Sequence, residues 1–129
     1  MQPVHCPRVK ICCIKSPDEA RLAVSAGASA LGLVSHMPSG PGVIDEPAIT
    51  AIAAKVPPPV ATFLLTSLTD PEAIVAQHRR CRTSTIQLCD YQAHATYAVL
   101  RERLPGIRLV QVVHVLDEAD LARAQELAP

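Results

Sequence analysis

The chain has 129 residues, of which 49% are hydrophobic, so it is long enough to fold as one domain over residues 1–129 with a substantial core. Its 12 basic and 12 acidic side chains give a formal net charge of zero. A balanced charge provides no basic field, so neither nucleic acid nor a membrane surface is expected as a partner. No run of about 18 apolar residues is present, and the N-terminus lacks the pattern of a secretory signal, which predicts a cytoplasmic protein.

The cysteines do not follow the spacing of a metal site or of a disulfide framework. There are 5 of them, without a Cys-x-x-Cys pair and without a histidine at zinc-finger spacing. An odd count with this spacing argues against structural zinc and against a set of disulfides. We therefore expect free thiols and no metal.

Five short continuous segments, rich in β-branched or aliphatic residues and bounded by Pro, Gly, Ser or Asp, predict buried β-strands. In chain order they cover residues 8–14, 30–34, 60–65, 85–88 and 108–115. Apolar residues at helical spacing follow each of them, so every strand is expected to lead into a helix. This alternation predicts an α/β protein with parallel strands. A flavodoxin-like sheet and a barrel fit the periodicity equally well.

The predicted helices have recognisable ends. Ser16, Asp45 and either Thr69 or Asp70 precede a proline, as capping residues do at the start of a helix. Gly27 stands where the first helix should close, in a position that favours a left-handed residue. The last turn of the third helix carries a basic cluster that we expect to be solvated, namely His78, Arg79, Arg80 and Arg82.

Two segments carry a resemblance to a known family. Residues 9–14 read Val-Lys-Ile-Cys-Cys-Ile, and residues 26–34 read Ala-Gly-Ala-Ser-Ala-Leu-Gly-Leu-Val. They resemble the opening of phosphoribosylanthranilate isomerases, whose first strand reads Val-Lys-Ile-Cys-Gly-Ile and whose second reads Gly-Ala-Asp-Ala-Leu-Gly-Phe-Val. The resemblance continues through Pro-Pro-Pro-Val at residues 57–60 and Ile-Gln-Leu at residues 86–88, and covers essentially the whole chain.

The resemblance implies a (β/α)8 TIM barrel, truncated here to about five parallel βα units from its N-terminal part. It also implies an isomerase of tryptophan biosynthesis, which carries out the Amadori rearrangement of N-(5-phosphoribosyl)anthranilate, a small phosphosugar, without a cofactor. The family's general acid lies on a sixth strand, so we expect this chain alone to be inactive. Its open sheet edges are expected to favour self-association.

Cys12 matches the position of the family's general base. A thiol suits this role when a nearby cation favours its thiolate form, and Lys10 is a candidate for that influence or for substrate contact. Lys10, Cys12 and Ile14 are expected on one face of the first strand, because side chains alternate with a period of two. On the fourth strand, Gln87 matches the family and is expected to face the substrate together with Cys89.

Three positions depart from the family pattern. Cys13 replaces a glycine and is expected to pack against a helix, and Cys89 replaces a histidine. Gly42 is the nearest equivalent of an arginine that is expected to hold the anthranilate carboxylate. These changes keep two alternatives open: a related isomerase with an altered substrate, and a noncatalytic remnant or interaction module.

The remaining polar candidates have weaker support. His36 lies in the loop after the second strand, where a binding role competes with simple solvation. His114 and Asp117 form either an oriented imidazole pair or a strand-end histidine beside a helix cap. A metal or redox role for the cysteines is the most distant alternative.

Overall fold

The structure, a computed structural model, describes residues 6–128 and contains alternating strands and helices. The strands are β1 (Lys10–Ile11), β2 (Ala30–Val34), β3 (Ala61–Thr66), β4 (Thr85–Leu88) and β5 (Arg108–Gln111). The helices are α1 (Pro17–Ser25), α2 (Glu46–Ala53), α3 (Pro71–Cys81), α4 (His94–Arg103) and α5 (Glu118–Leu127). The predicted βα alternation is therefore confirmed.

The strands form one parallel sheet in the order β1-β2-β3-β4-β5. Crossovers between parallel strands are right-handed, so an order that never reverses sends every connecting helix to the same face. Successive helices accordingly contact one another, α1 with α2, α2 with α3 and α3 with α4. This arrangement is that of a barrel wall, and it excludes the flavodoxin-like sheet, whose strand order reverses.

The core lies between the sheet and its helices. One part gathers around β2 and β3, where Leu31, Leu33 and Leu64 pack on α1 and α2. A second part gathers where Ile86 and Leu88 of β4 pack on α3 and α4. Because side chains alternate along a strand, the residues between these positions lie on the opposite face, which no helix of residues 6–128 covers. We call it the open face.

The first strand is shorter than the predicted 8–14. Cys13 has a φ of 60°, in the left-handed region, and this turn interrupts the extended backbone after Ile11. Ile14 then donates its N–H to the Gly32 carbonyl at 3.2 Å and joins the helix-side core. The prediction that Ile14 shares a face with Lys10 and Cys12 was therefore wrong.

The last strand also stops early, at Gln111 rather than at residue 115. It has one neighbour, β4, and the final ladder contact is the Val112 N–H on the Leu88 carbonyl at 2.9 Å. An edge strand is hydrogen-bonded to a single neighbour, so it ends where that neighbour ends. Both ends of the sheet are thus short edge strands.

The helix ends agree with the sequence. Ser16, Asp45 and Asp70 accept hydrogen bonds from the backbone three residues later, and Gly27 has a φ of 97° after α1. None of the helices within residues 6–128 has the length and apolar character needed to cross a membrane.

One expectation about α3 was wrong. His78 is buried, not solvated, because it lies on the face of the helix that packs against the sheet. Its Nε2 is 2.7 Å from the Thr83 carbonyl, so the imidazole closes the turn between α3 and β4. The basic residues around His78 predicted a solvated side chain, but they do not indicate which face of the helix His78 occupies.

Candidate active site

Cys12 comes directly after β1, at the carboxyl end of the strand. Its Sγ lies against Gly32 of β2: a Cβ on residue 32 would be 2.8 Å from that sulfur and 3.1 Å from the Cys12 Cα. Only a residue without a side chain allows the two strands to approach in this way. Cys12 is exposed, and Gly32 lies on the open face between Leu31 and Leu33.

The side chain of Lys10 extends along the open face toward Phe63. Its Nζ is 5.2 Å from the centre of the Phe63 ring, a cation–π contact that crosses β2. Phe63 is paired with Gly32 in the sheet register, and Gly32 contacts Cys12. The side chain of Lys10 therefore reaches the residue that is paired with Gly32, the neighbour of Cys12. Nothing in the sequence singled out Phe63 except that it is the one phenylalanine of the chain.

Cys13 contacts a loop, which the sequence did not predict. Its Sγ donates to the Pro41 carbonyl at 3.6 Å, and a Cβ on Gly42 would be 2.6 Å from the Cys13 Cβ. The side chain thus lies against the loop between β2 and α2. Burial, and then the neighbouring Cys12 thiol, raise the pKa of Cys13 above its usual range.

At β4, Gln87 lies between Ile86 and Leu88, which are both buried beneath helices, so Gln87 belongs to the open face. Cys89 follows the strand; its N–H donates to the Thr66 carbonyl at 3.0 Å and its Sγ donates to the Gln87 carbonyl at 3.8 Å. Burial raises the pKa of Cys89, and Asp90 and then Cys12 act in the same direction. The proton is therefore harder to remove from Cys89 than from a free thiol, and Cys12 is among the causes of this effect.

The structure brings Lys10, Cys12, Gln87 and Cys89 to one side of the sheet, while their roles remain predictions. Two glutamines that the sequence did not single out hold the loop after β4. The amide of Gln111 donates to the Leu88 and Asp90 carbonyls, each at 3.1 Å, and that of Gln92 donates to the Leu68 and Asp90 carbonyls. These bonds fix the backbone on both sides of Cys89. A glutamine at a strand end has no sequence signature for such a role.

The other polar candidates stay apart from this group. His36 is exposed, with its carbonyl accepting from the Ser67 hydroxyl at 3.4 Å. Asp117 accepts from the backbone of Ala119 and Asp120 as the cap of α5, which favours the helix-cap interpretation over an oriented pair with His114. All five cysteines are free, and no three metal-binding side chains cluster within residues 6–128.

Comparison with known proteins gives one consistent relationship, although no family model matches the chain. It is 40% identical over 111 residues to the N-(5'-phosphoribosyl)anthranilate isomerase of Geobacter metallireducens, covering 85% of this chain and 54% of that protein. It is 34% identical to the isomerase of Gloeobacter violaceus, covering 90% of this chain and 52% of that protein. A crystal structure of phosphoribosyl anthranilate isomerase superimposes with a TM-score of 0.82 at 28% identity, covering 92% of this chain and 59% of that one.

The chain is related to the phosphoribosylanthranilate isomerases. It spans a little more than half the length of these relatives. The crystal structure that it matches holds reduced 1-(o-carboxyphenylamino)-1-deoxyribulose 5-phosphate.

Two of the departures from the phosphoribosylanthranilate isomerase pattern touch each other. Cys13 stands where the family has glycine, and Gly42 is nearest to the family's arginine. The Cys13 side chain occupies the space that any side chain on residue 42 would need. With cysteine at position 13, residue 42 therefore has no space for a side chain.

Proposed function

We propose that this chain supplies the base-bearing part of an isomerase that carries out the Amadori rearrangement of N-(5-phosphoribosyl)anthranilate without a cofactor. The observation that carries the proposal is the position of Cys12. Its sulfur lies at the carboxyl end of β1, on the open face, against Gly32. In barrels of parallel βα units, catalytic groups come from this end of the strands.

In this reaction the sugar ring opens and a general base removes the proton from C2 of the opened aminoaldose. Cys12 is the candidate base. Lys10, two residues before Cys12, extends its ammonium group over the Phe63 ring and offers it to phosphate or carboxylate oxygens. Burial raises the pKa of Cys89, which suits this thiol to donating a hydrogen bond rather than to the role of base. Gln87 offers an amide that donates and accepts on the open face.

The general acid belongs, by resemblance, to a sixth strand, and the sheet of residues 6–128 has five. Removing an acid from an acid–base pair costs typically 10²–10⁴-fold in rate. We therefore expect no useful turnover from the chain by itself.

The test uses two preparations: the 129-residue chain alone, and the chain mixed with the remaining C-terminal part of the Geobacter metallireducens relative. The chain alone should not convert N-(5-phosphoribosyl)anthranilate, whereas the mixture should. Cys12→Ser should abolish the reconstituted rate and Cys89→Ser should only reduce it. Turnover by the chain alone near that of an intact relative would contradict the expected inactivity, and an active Cys12→Ser mixture would exclude Cys12 as the base.

The altered loop favours a variant of this function. Residue 42 is a glycine with no space for a side chain, so the loop has no guanidinium at this point to pair with a carboxylate. We expect the reconstituted site to discriminate weakly between the anthranilate substrate and an aminoaldose phosphate whose aryl group lacks the carboxylate. Parallel kcat/KM measurements on the two substrates decide this point; a strong preference for the carboxylate would contradict it.

A noncatalytic interaction module is the second candidate, and the observation that favours it is the apolar surface at the sheet edges. Val9, Ile11 and Leu22 are exposed beside β1, and Leu116 and Leu121 are exposed beside α5. If this is the function, a constant partner should bind the chain equally well before and after Cys12→Ser. Partner capture that depends on the apolar edges, without any rate in the mixture above, would favour this candidate.

A further inference from the structure

Cys12 and Cys13 are adjacent free thiols at the end of β1. On a regular strand, neighbouring side chains point to opposite faces, and two adjacent thiols could not share one ligand. The strand, however, ends at Ile11, and Cys13 takes a left-handed φ of 60°. The rule of opposite faces therefore does not hold for this pair.

Both sulfurs lie against one segment of the chain, which runs from β2 into the loop before α2. Cys12 Sγ touches Gly32 within β2, and Cys13 Sγ touches Gly42 in the loop that follows. That loop folds back on its own strand, because Val43 forms a parallel bridge with Val34. Burial, and then the neighbouring Cys12 thiol, raise the pKa of Cys13, which agrees with the adjacency of the two residues.

We infer that Cys12 and Cys13 form a vicinal dithiol that captures one trivalent organoarsenical, or an equivalent soft electrophile that binds two thiols. With phenylarsonous acid, both As–OH groups leave as water, each taking one thiol proton, and two As–S bonds form. Arsenic remains trivalent and no electron is transferred. Soft thiolates are the preferred ligands for such centres. The capture would also block Cys12, but the inference does not depend on a catalytic role for that residue.

The other thiols do not fit this role. Cys81 is fully buried, and burial raises its pKa to about 11. Cys89 is half-buried and follows a different strand, β4, so it has no second thiol next to it in the chain. No cluster of three metal-binding side chains exists within residues 6–128. Structural zinc needs four protein ligands, so the pair of thiols suits an electrophile that binds two sulfurs better than it suits zinc.

The test is the mass of the intact chain after reaction with one equivalent of phenylarsonous acid, followed by a challenge with excess glutathione and then with dithiothreitol. We expect one adduct per chain, the loss of two titratable thiols, resistance to glutathione and release by dithiothreitol. The second As–S bond is intramolecular, so removing one thiol should weaken capture about 10²-fold or more. Cys12→Ser and Cys13→Gly should each give this loss.

Cys13→Gly is the decisive variant, because glycine accepts the left-handed backbone and the fold is retained while the thiol is removed. Cys89→Ser and Cys6→Ser are the matched controls and should keep the adduct. The inference is overturned if the wild-type adduct is removed by glutathione, if no adduct forms, or if Cys89→Ser abolishes the adduct while Cys13→Gly keeps it. Circular dichroism of each variant separates a lost thiol from a lost fold.

Discussion

Cys13 has a φ of 60°, a conformation that costs a residue with a Cβ roughly 1–2 kcal/mol. Replacing it by glycine removes this strain and the contact with Gly42. Part of the gain is offset because glycine loses more backbone entropy than cysteine on folding. We expect Cys13→Gly to raise the free energy of unfolding by about 0.5–1 kcal/mol. Urea denaturation measures it. Arg82→Gly, at φ 57° after α3, is the matched control and should gain a similar amount; a lower stability for both variants would contradict the strain argument.

Residue 42 depends on residue 13. Gly42 has a φ of 84°, and a Cβ there would be 2.6 Å from the Cys13 Cβ. Gly42→Ala should therefore destabilise the chain by about 1–3 kcal/mol. In the double variant with Cys13→Gly the steric part of this cost should disappear and the backbone part should remain. A double-mutant cycle measures the coupling, and additive effects of the two substitutions would show that the contact has no energetic consequence.

At the scale of elements, α3 and α5 both begin with an aspartate cap but differ in how much of the helix is buried. Asp70 caps α3, which buries several residues including Ile74 and Val75, whereas α5, capped by Asp117, has no buried residue. Asp70→Ala should lower the free energy of unfolding by about 1 kcal/mol. Asp117→Ala should leave it nearly unchanged and should instead speed amide hydrogen exchange within α5, because that helix can open without exposing core. Equal losses of global stability from the two substitutions would contradict this difference.

The α2 and α3 helices are joined by an ion pair. Glu46 accepts from Arg80 Nη2 at 3.0 Å, and this hydrogen bond lowers the pKa of Glu46. A carboxylate whose pKa falls on folding adds stability above its unfolded pKa of about 4.3, and the gain is lost as pH falls through the folded value.

We therefore expect the wild-type chain to be more stable than Glu46→Gln at pH 7, with the difference shrinking below about pH 4. Thermal denaturation over this pH range measures the difference. Glu102→Gln on α4, a site with no ion pair among residues 6–128, is the control. A difference between wild type and Glu46→Gln that does not change with pH would argue that packing, not charge, is responsible.

For the whole molecule, the sheet has two open edges with apolar surroundings. A groove of about 440 Å³ lies between β1 and α1, with Val9 and Ile11 in its lining, and Leu22 is 71% exposed. At the other end Leu116 is 91% exposed. Parallel edges with uncovered apolar surface promote association.

We expect the chain to self-associate as its concentration rises, and Leu22→Lys together with Leu116→Lys to shift it toward the monomer. Sedimentation velocity at several concentrations gives the answer. Arg21→Lys, on the exposed face of α1, is a control that should change nothing. A wild-type chain that sediments as a stable monomer would exclude the prediction.

The local signals were sufficient for the elements themselves. Strand segments 30–34 and 85–88 were predicted to the residue, because each is a short run rich in aliphatic or β-branched residues between polar or small residues. The caps at Ser16, Asp45 and Asp70 were predictable because a cap bonds within its own turn. Such features are determined by interactions between residues close in sequence.

Sequence alone determined the five βα units, the capped starts of α1, α2 and α3, and the resemblance to an isomerase family. The tertiary structure decided the order of the strands, the uncovered face and the surroundings of each thiol. The turn at Cys13 moved Ile14 into the helix-side core and brought Cys13 against Gly42, 29 residues later in the chain. These outcomes depend on contacts between residues that are far apart in the sequence. The spacing of residues along the chain does not tell which distant segment a given side chain will contact.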